Sequence, residues 1–386
     1  MKKKRTYCKN IILILALIIT IFSGFLIYTK TSFSERRDYV KRRLINFQSK
    51  NYWIFGTNIP WIGPGYGHDL GLDPLHPDWG RSYDNPQLKA DFNQYLKNCK
   101  ENGMHVIRIW LFERSEGLIF DNSGAVVMIE DGMLNNILDV MNKIGENDLY
   151  VYWTLTSSWK GPERNRRYLI TDPVKRHSYI SNAIIPLIGT LKSSRYFDRV
   201  FAIDIHNEIE NEIKWTANGS WGGEITWEQA YEYINAVSAA IKSAAPKLLV
   251  TSSSGYHGLE NIKAGRFNNL NLDFLDGHVY TDSGKLKYSW KELNVNKPVL
   301  IGEIGQNSDK WDDELQNKAV GNLINEAWNK GYAGVLQWCY GYPGTDEIHS
   351  LVYSNGSFRP VASTMRKFDE EHRDIINIGY ARSKRE

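Results

Sequence analysis

The chain has 386 residues, 42% hydrophobic and 13% aromatic, enough to bury a large core. Its net charge of +3 is uneven: Lys2, Lys3, Lys4, Arg5 and Lys9 give +5, residues 30–43 give +4, and the remainder carries −6. A mildly acidic remainder excludes a nucleic-acid binder, which would present a basic face on its folded part.

In chain order, the first element is the apolar run IILILALIITIFSGFLIY, from Ile11 to Tyr28, which holds no charged residue. Its length reaches the lower end of a bilayer-spanning helix. A signal peptide has a shorter apolar core, about 7–15 residues, and a small-x-small cleavage site, which does not follow here. The expectation is a basic cytoplasmic tail (1–10), a single-pass transmembrane signal anchor (11–28) and a stalk (29–50), with the rest of the chain extracellular at the cell membrane. Secretion after signal cleavage is the alternative. With Cys8 on the cytoplasmic side, Cys99 and Cys339 form at most one pair outside.

From about residue 51 to 386, short apolar runs alternate with amphipathic segments and point to one domain. The strand candidates are YWIFGTN (52–58), HVIRIWLF (105–112), LYVYWTL (149–155), VFAIDIH (200–206), KLLVTSS (247–253), FLDGHVY (274–280), PVLIGEI (298–304) and AGVLQWC (333–339). Between them lie helical patterns such as PQLKADFNQYLKNCKENG and TWEQAYEYINAVSAAIKSAA, several closing on Gly or Asn. Strands apolar on both faces and separated by helices indicate a parallel sheet. Eight of them in strict alternation fit the α/β class as a single (β/α)8 TIM barrel. No glycine-rich dinucleotide fingerprint or P-loop supports an open doubly wound sheet instead.

In such a barrel the active site stands at the C-terminal ends of the strands. Those ends carry Asn58 and Trp61, then Arg108, Trp110 and Glu113, then Trp153 and Trp159. Strand 4 brings His206, Asn207 and Glu208, strand 5 Tyr256 and His257, strand 6 His278 and Tyr280, strand 7 Glu303 and strand 8 Trp338. Two opposed carboxylates, Glu208 and Glu303, suit cleavage of a glycosidic bond. One stabilises or attacks the cationic anomeric carbon and the other protonates the leaving oxygen. Flat indole faces cover the C–H face of a pyranose. Asp204 is expected to be buried in a pairing role, and Glu210 and Glu212 to be solvated. No ligand spacing points to a metal, and no cofactor is expected.

These residues resemble the (β/α)8 retaining glycoside hydrolases of clan A, the clan that includes family 5, over most of residues 51–370. Asn207-Glu208 matches the Asn-Glu that ends strand 4 in that clan, Glu303 in PVLIGEIG its strand-7 nucleophile, and Arg108 its strand-2 arginine. His278-Val-Tyr280 matches its strand-6 pattern, and Trp338 its strand-8 tryptophan. FGTNIPWIG and GMHVIRIWLF look closer to the β-mannanase branch than to the cellulases. Two departures are Ile209 where the family usually has Pro, and the absence of a His from VYWTLTSSW.

The resemblance implies an endo-β-glycanase acting on a β-1,4-linked polysaccharide, with Glu303 as ionised nucleophile and Glu208 as protonated acid/base. Asn207 would bind the sugar 2-hydroxyl and Arg108 and Tyr280 would support Glu303. His278 would tune Glu208 or bind substrate, and Trp338, with Trp61, Trp153 and Trp159, would form sugar platforms. A non-catalytic carbohydrate-binding barrel and a transglycosylase are the alternatives. Oligomeric state is open.

Overall fold

The computed structural model describes residues 44–63, 69–157, 167–214, 223–255, 257–341 and 348–376. The expected anchor (11–28) and most of the stalk lie outside them, as do Trp159 and Tyr256. No helix among the described residues is long and apolar enough to cross a membrane.

Eight parallel strands make the barrel: β1 (Ile54–Asn58), β2 (Val106–Trp110), β3 (Tyr150–Thr154), β4 (Val200–Asp204), β5, β6 (Leu275–Tyr280), β7 (Val299–Gly305) and β8 (Gly334–Gln337). Strand β5 is split into Leu249–Thr251, which pairs with β4, and Ser253–Ser254, which pairs with β6. The break at Ser252 lets one strand close the ring. Every barrel pairing is parallel, and β8 pairs β1.

The helical patterns form where their end signals place them. Helix α1 (Pro86–Glu101) begins after Asn85, whose side chain accepts from the Gln87 N–H, with Pro at the first turn. Helices α2 (Asp131–Glu146) and α3 follow, α3 running from Pro173 to Ser193 through a π-type turn at Ile180–Ile184. Helix α4 (Trp227–Ala244) starts with a reciprocal Thr226–Gln229 capping box. After β5 and β6 come only short helices that the pattern did not foretell, α5 (Gly258–Lys263) and α6 (Trp290–Leu293). Helices α7 (Asp313–Lys330) and α8 (Pro360–Ile376) complete the series.

Before β1, Ile45–Phe47 and Lys50–Tyr52 pair as an antiparallel hairpin. Ile45, Phe47 and Tyr52 are buried with Ile54, Val106, Tyr150, Phe201 and Leu300, residues from the early parts of the strands. The hairpin thereby closes the N-terminal end of the barrel, and Phe47 packs edge-on to Tyr150 at 5.5 Å. The compact unit that holds the barrel runs from Ile45 and so includes this hairpin.

Inside the barrel, buried polar groups are matched to one another. The Tyr152 hydroxyl donates to Asp276 at 2.7 Å, and the other Asp276 oxygen accepts from the Gly302 N–H at 2.7 Å. Burial pushes the Asp276 carboxyl up to about 6. Cys99 and Cys339 are both buried and are not joined to each other by a disulfide.

Strands β1 and β2 approach closely at Gly56, where an added Cβ would lie 1.8 Å from the Val106 carbonyl oxygen. Backbone cannot yield there without breaking the pairing. Gly56→Ala is expected to cost about 3 kcal/mol in urea unfolding, at the upper end of ordinary overpacking.

Candidate active site

Strand register sets the site. Asn58 is paired with Arg108, and Arg108 with Tyr152, which puts three strands in step. On the far side His278 stands opposite Glu303, just past a register shift after Gly277.

Arg108 is fully buried at the centre. One guanidinium nitrogen donates to Glu303 at 2.7 Å and Asn58 at 3.0 Å; the other donates to Asp204 at 2.8 Å and Asn207 at 2.6 Å. Burial alone would favour loss of its proton, but Glu303 and Asp204 hold it firmly charged. Asp204 is thus the buried partner expected of it, and it also accepts from the Ser253 hydroxyl at 2.9 Å.

Glu303 bonds Arg108 through one oxygen and accepts from the Tyr280 hydroxyl at 2.7 Å through the other. Burial pushes its carboxyl up, and His278, Arg108 and Tyr280 oppose that. Glu208 follows β4 and has left-handed backbone geometry (φ 53°, ψ 51°), an uncommon conformation for a side chain of this kind. Its carboxylate bonds His278 Nδ1 at 2.8 Å and accepts from the Asn211 side-chain amide at 3.0 Å. Its side chain keeps 16% exposure against 5% for Glu303, so a bound molecule reaches Glu208 more readily.

His278 Nδ1 also lies 3.4 Å from Glu303. Burial opposes its charge, yet the two carboxylates push it up to about 9. The hydrogen bond and charge of His278 in turn outweigh burial and pull the Glu208 carboxyl down. The two Glu and His278 each offer an atom within 4.8 Å of the others, a spacing a small cation would also fit. Arg108 already supplies a positive charge to Glu303, however, and His278 Nδ1 is committed to Glu208.

Trp61, Trp110 and Trp338 meet over the barrel mouth, with ring centroids 5.7–5.8 Å apart, and Tyr280 packs against them. Trp61 donates to Glu113 at 2.6 Å. The peptide between Trp338 and Cys339 is cis. On the other side of Glu208 a cavity of about 480 Å³ opens between Asn211, Gly255, His257, Glu260, Tyr280 and Asn307.

Arg108, Asn207, Glu208, His278, Tyr280, Glu303, Trp338 and Trp61 are therefore brought together. Trp153 is not. It is wholly buried on β3, between Tyr152 and Thr154, which both bond groups inside the barrel. Strand alternation turns Trp153 to the helix layer, where it offers no face to a sugar. Glu210 and Glu212 also differ from expectation. The chain turns inward as a 3₁₀ turn (Ile209–Glu212), burying both; Glu212 pairs with Arg167, and burial pushes Glu210 up to about 8.

The sequence places Asn58 and Trp110 at the active-site end without giving them a role, and it does not single out Asn211 or Ser253. Asn58 and Trp110 carried a signal, their places at strand ends. Asn211 stands three residues beyond Glu208, a spacing that serves a 3₁₀ turn but is mute without one.

No family model matches the chain. Mannan endo-1,4-beta-mannosidase of Cryptopygus antarcticus is 26% identical to it over 376 residues, covering 87% of this chain and 93% of that relative. The X-ray structure of β-mannanase from the blue mussel Mytilus edulis superposes with a TM-score of 0.68 at 20% identity, over 87% of this chain and 97% of that one. The crystal structure of β-1,4-D-mannanase from Cryptopygus antarcticus gives 0.65 at 23%, over 84% and 94%. At these identities the structural likeness concerns the fold.

Fold and relative together mark the protein as a glycoside hydrolase. Its (β/α)8 fold and its sequence are similar to those of clan A enzymes, family 5 and its β-mannanases among them.

Arg108→Lys keeps a charge but loses the fork that spans two carboxylates. It is expected to lower hydrolysis by at least about 10-fold and to lower the thermal midpoint, since Asp204 or Glu303 is then left underpaired. Initial rates and calorimetry on the same preparation check both.

Proposed function

We propose that the protein is a retaining endo-β-1,4-mannanase with Glu303 as nucleophile and Glu208 as acid/base. The observation that carries this is the approach of the two carboxylates to within 4.8 Å. An approach this close, between one oxygen of each, suits the roughly 5–5.5 Å separation of carboxyl groups in retaining sites better than the roughly 6.5–9.5 Å of inverting ones. Mannan as substrate, and attack within the chain, are supported by the names of the relatives.

A Glu303 oxygen attacks the anomeric carbon while the glycosidic C–O bond breaks. The bonding electrons go to the leaving oxygen, which takes a proton from Glu208. Glu208, now a carboxylate, removes a proton from water; the water oxygen attacks the same carbon and Glu303 departs as carboxylate. Asn207 binds the 2-hydroxyl, and Trp338 and Trp61 cover the sugar.

His278 modifies the expected proton inventory. In the free enzyme the Glu208–His278 pair holds the acid proton on the imidazole side, because His278 is pushed up to about 9 and Glu208 is pulled down. The proton crosses their 2.8 Å bond as charge develops on the leaving oxygen. An uncleaved helix at 11–28 would hold the enzyme at the outer face of the membrane, a reading supported by the charge-free run between basic flanks.

Glu208→Gln and Glu303→Gln are each expected to lower mannan hydrolysis by about 10³-fold or more with unchanged circular dichroism. Substantial activity in either variant refutes the assignment, and assays on glucan and amino-sugar polymers alongside mannan test the substrate. For the wild type, kcat/KM on mannan should fall at acid pH as Glu303 takes up a proton, and at alkaline pH as the pair loses its proton near pH 9. His278→Asn should move the alkaline limb to lower pH, because the acid proton then depends on one carboxyl alone.

A further inference from the structure

We infer that Gly255 is a positioning residue for the acid/base group: its missing side chain is the space the Glu208 carboxylate occupies. This rests on the assignment of Glu208 as acid/base. A Cβ built on Gly255 would lie 1.6 Å from Glu208 Oε1 and 1.9 Å from the carboxyl carbon. Gly255 is not among the glycines of positive φ, so the backbone there would accept alanine. Space is what requires glycine, and the space is filled by a reacting group.

The surrounding bonds decide which part would move. On one side the chain around Gly255 is pinned. Ser253 N–H donates to Asp204 at 3.0 Å, Ser254 is in register with Gly277 on β6, and the Gly255 carbonyl accepts from the Gly258 N–H at 2.9 Å. On the other side the Glu208 backbone is pinned too. Its N–H donates to the Ser253 hydroxyl at 3.2 Å, and its carbonyl accepts from the Asn211 N–H at 2.9 Å. Only the Glu208 side-chain torsions remain free.

A methyl group at 255 must therefore push the carboxylate from 1.6 Å to at least 3.0 Å away. That displacement takes it off His278 Nδ1 and the Asn211 amide, now at 2.8 and 3.0 Å. Gly56 is the contrast: there the obstacle is the Val106 backbone, and the cost falls on stability. At Gly255 the obstacle is a flexible tip, so the cost falls on proton transfer.

The test is Gly255→Ala in the full chain, beside wild type and Glu208→Gln, on mannan and on 2,4-dinitrophenyl β-mannobioside. The dinitrophenolate leaves without a proton, so loss of the acid spares formation of the glycosyl-enzyme on that substrate. Gly255→Ala should keep the wild-type circular dichroism and lose about 10²-fold or more in kcat/KM on mannan, with little change on the aryl glycoside. Added azide should raise kcat on the aryl glycoside, because it attacks the anomeric carbon without a base, frees the Glu303 carboxylate and leaves a glycosyl azide.

Wild-type activity on mannan, an equal loss on both substrates, or failure to fold would each overturn the inference. If Glu208→Gln retains mannan hydrolysis, the assignment of Glu208 is what fails. If Glu208→Gln loses it and Gly255→Ala does not, the positioning role of Gly255 fails alone.

Discussion

The structure depends on keeping one buried cation balanced. Arg108 has no exposure, and a guanidinium in that position must find partners for its charge and its donors. It finds Asn58 from β1, Asp204 and Asn207 from β4 and its turn, and Glu303 from β7. Four strands are thereby fixed at the same height around a single side chain. The charge that keeps Glu303 an acceptor is the same charge that makes the centre of the barrel tolerable to bury.

From that centre the two carboxylates diverge in environment. Glu303 lies deep, between Arg108 and Tyr280, both of which donate to its anionic form. Glu208 stands at the rim of an open cavity, with His278 Nδ1 bonded to its carboxylate at 2.8 Å. Its left-handed backbone turns it off β4 and back over Gly255. Ile209, in place of the proline usual in the resembled family, is fully buried at the start of the following 3₁₀ turn. It contributes apolar packing to a turn that carries Glu210 and Glu212 inward. Such irregular geometry persists only where the surroundings hold it, here through Ser253, Asn211 and the split in β5.

Much of this was legible beforehand. Eight apolar runs became eight barrel strands, and the residues at their ends, Arg108, Asn207, Glu208, His278, Tyr280, Glu303 and Trp338, converge. That inference worked because in a parallel barrel the chain position of a strand end is also its spatial position. It failed where a local rule gives no direction. Trp153 sits at a strand end like Trp110 but points the other way, and period-2 alternation could not be phased without knowing which face was inside. Glu210 and Glu212 look like solvated acids by composition, and only a tertiary partner, Arg167, makes burial of Glu212 tolerable.

Taken alone, the sequence determined the strand series and the longer helices, the mild acidity of the folded part and the chemical kinds of group at each strand end. These follow from periodicity and side-chain type, which are local. The tertiary structure decided how those groups meet: Arg108 and Glu303 are 195 residues apart in the chain and 2.7 Å apart in space. It decided that the two carboxylates are close and that His278 bonds one of them. It also decided that a glycine with nothing unusual in its own backbone is where the acid rests. Distances and charges across the barrel arise only once all eight strands close, because each electrostatic environment is the sum of groups that no single segment contains.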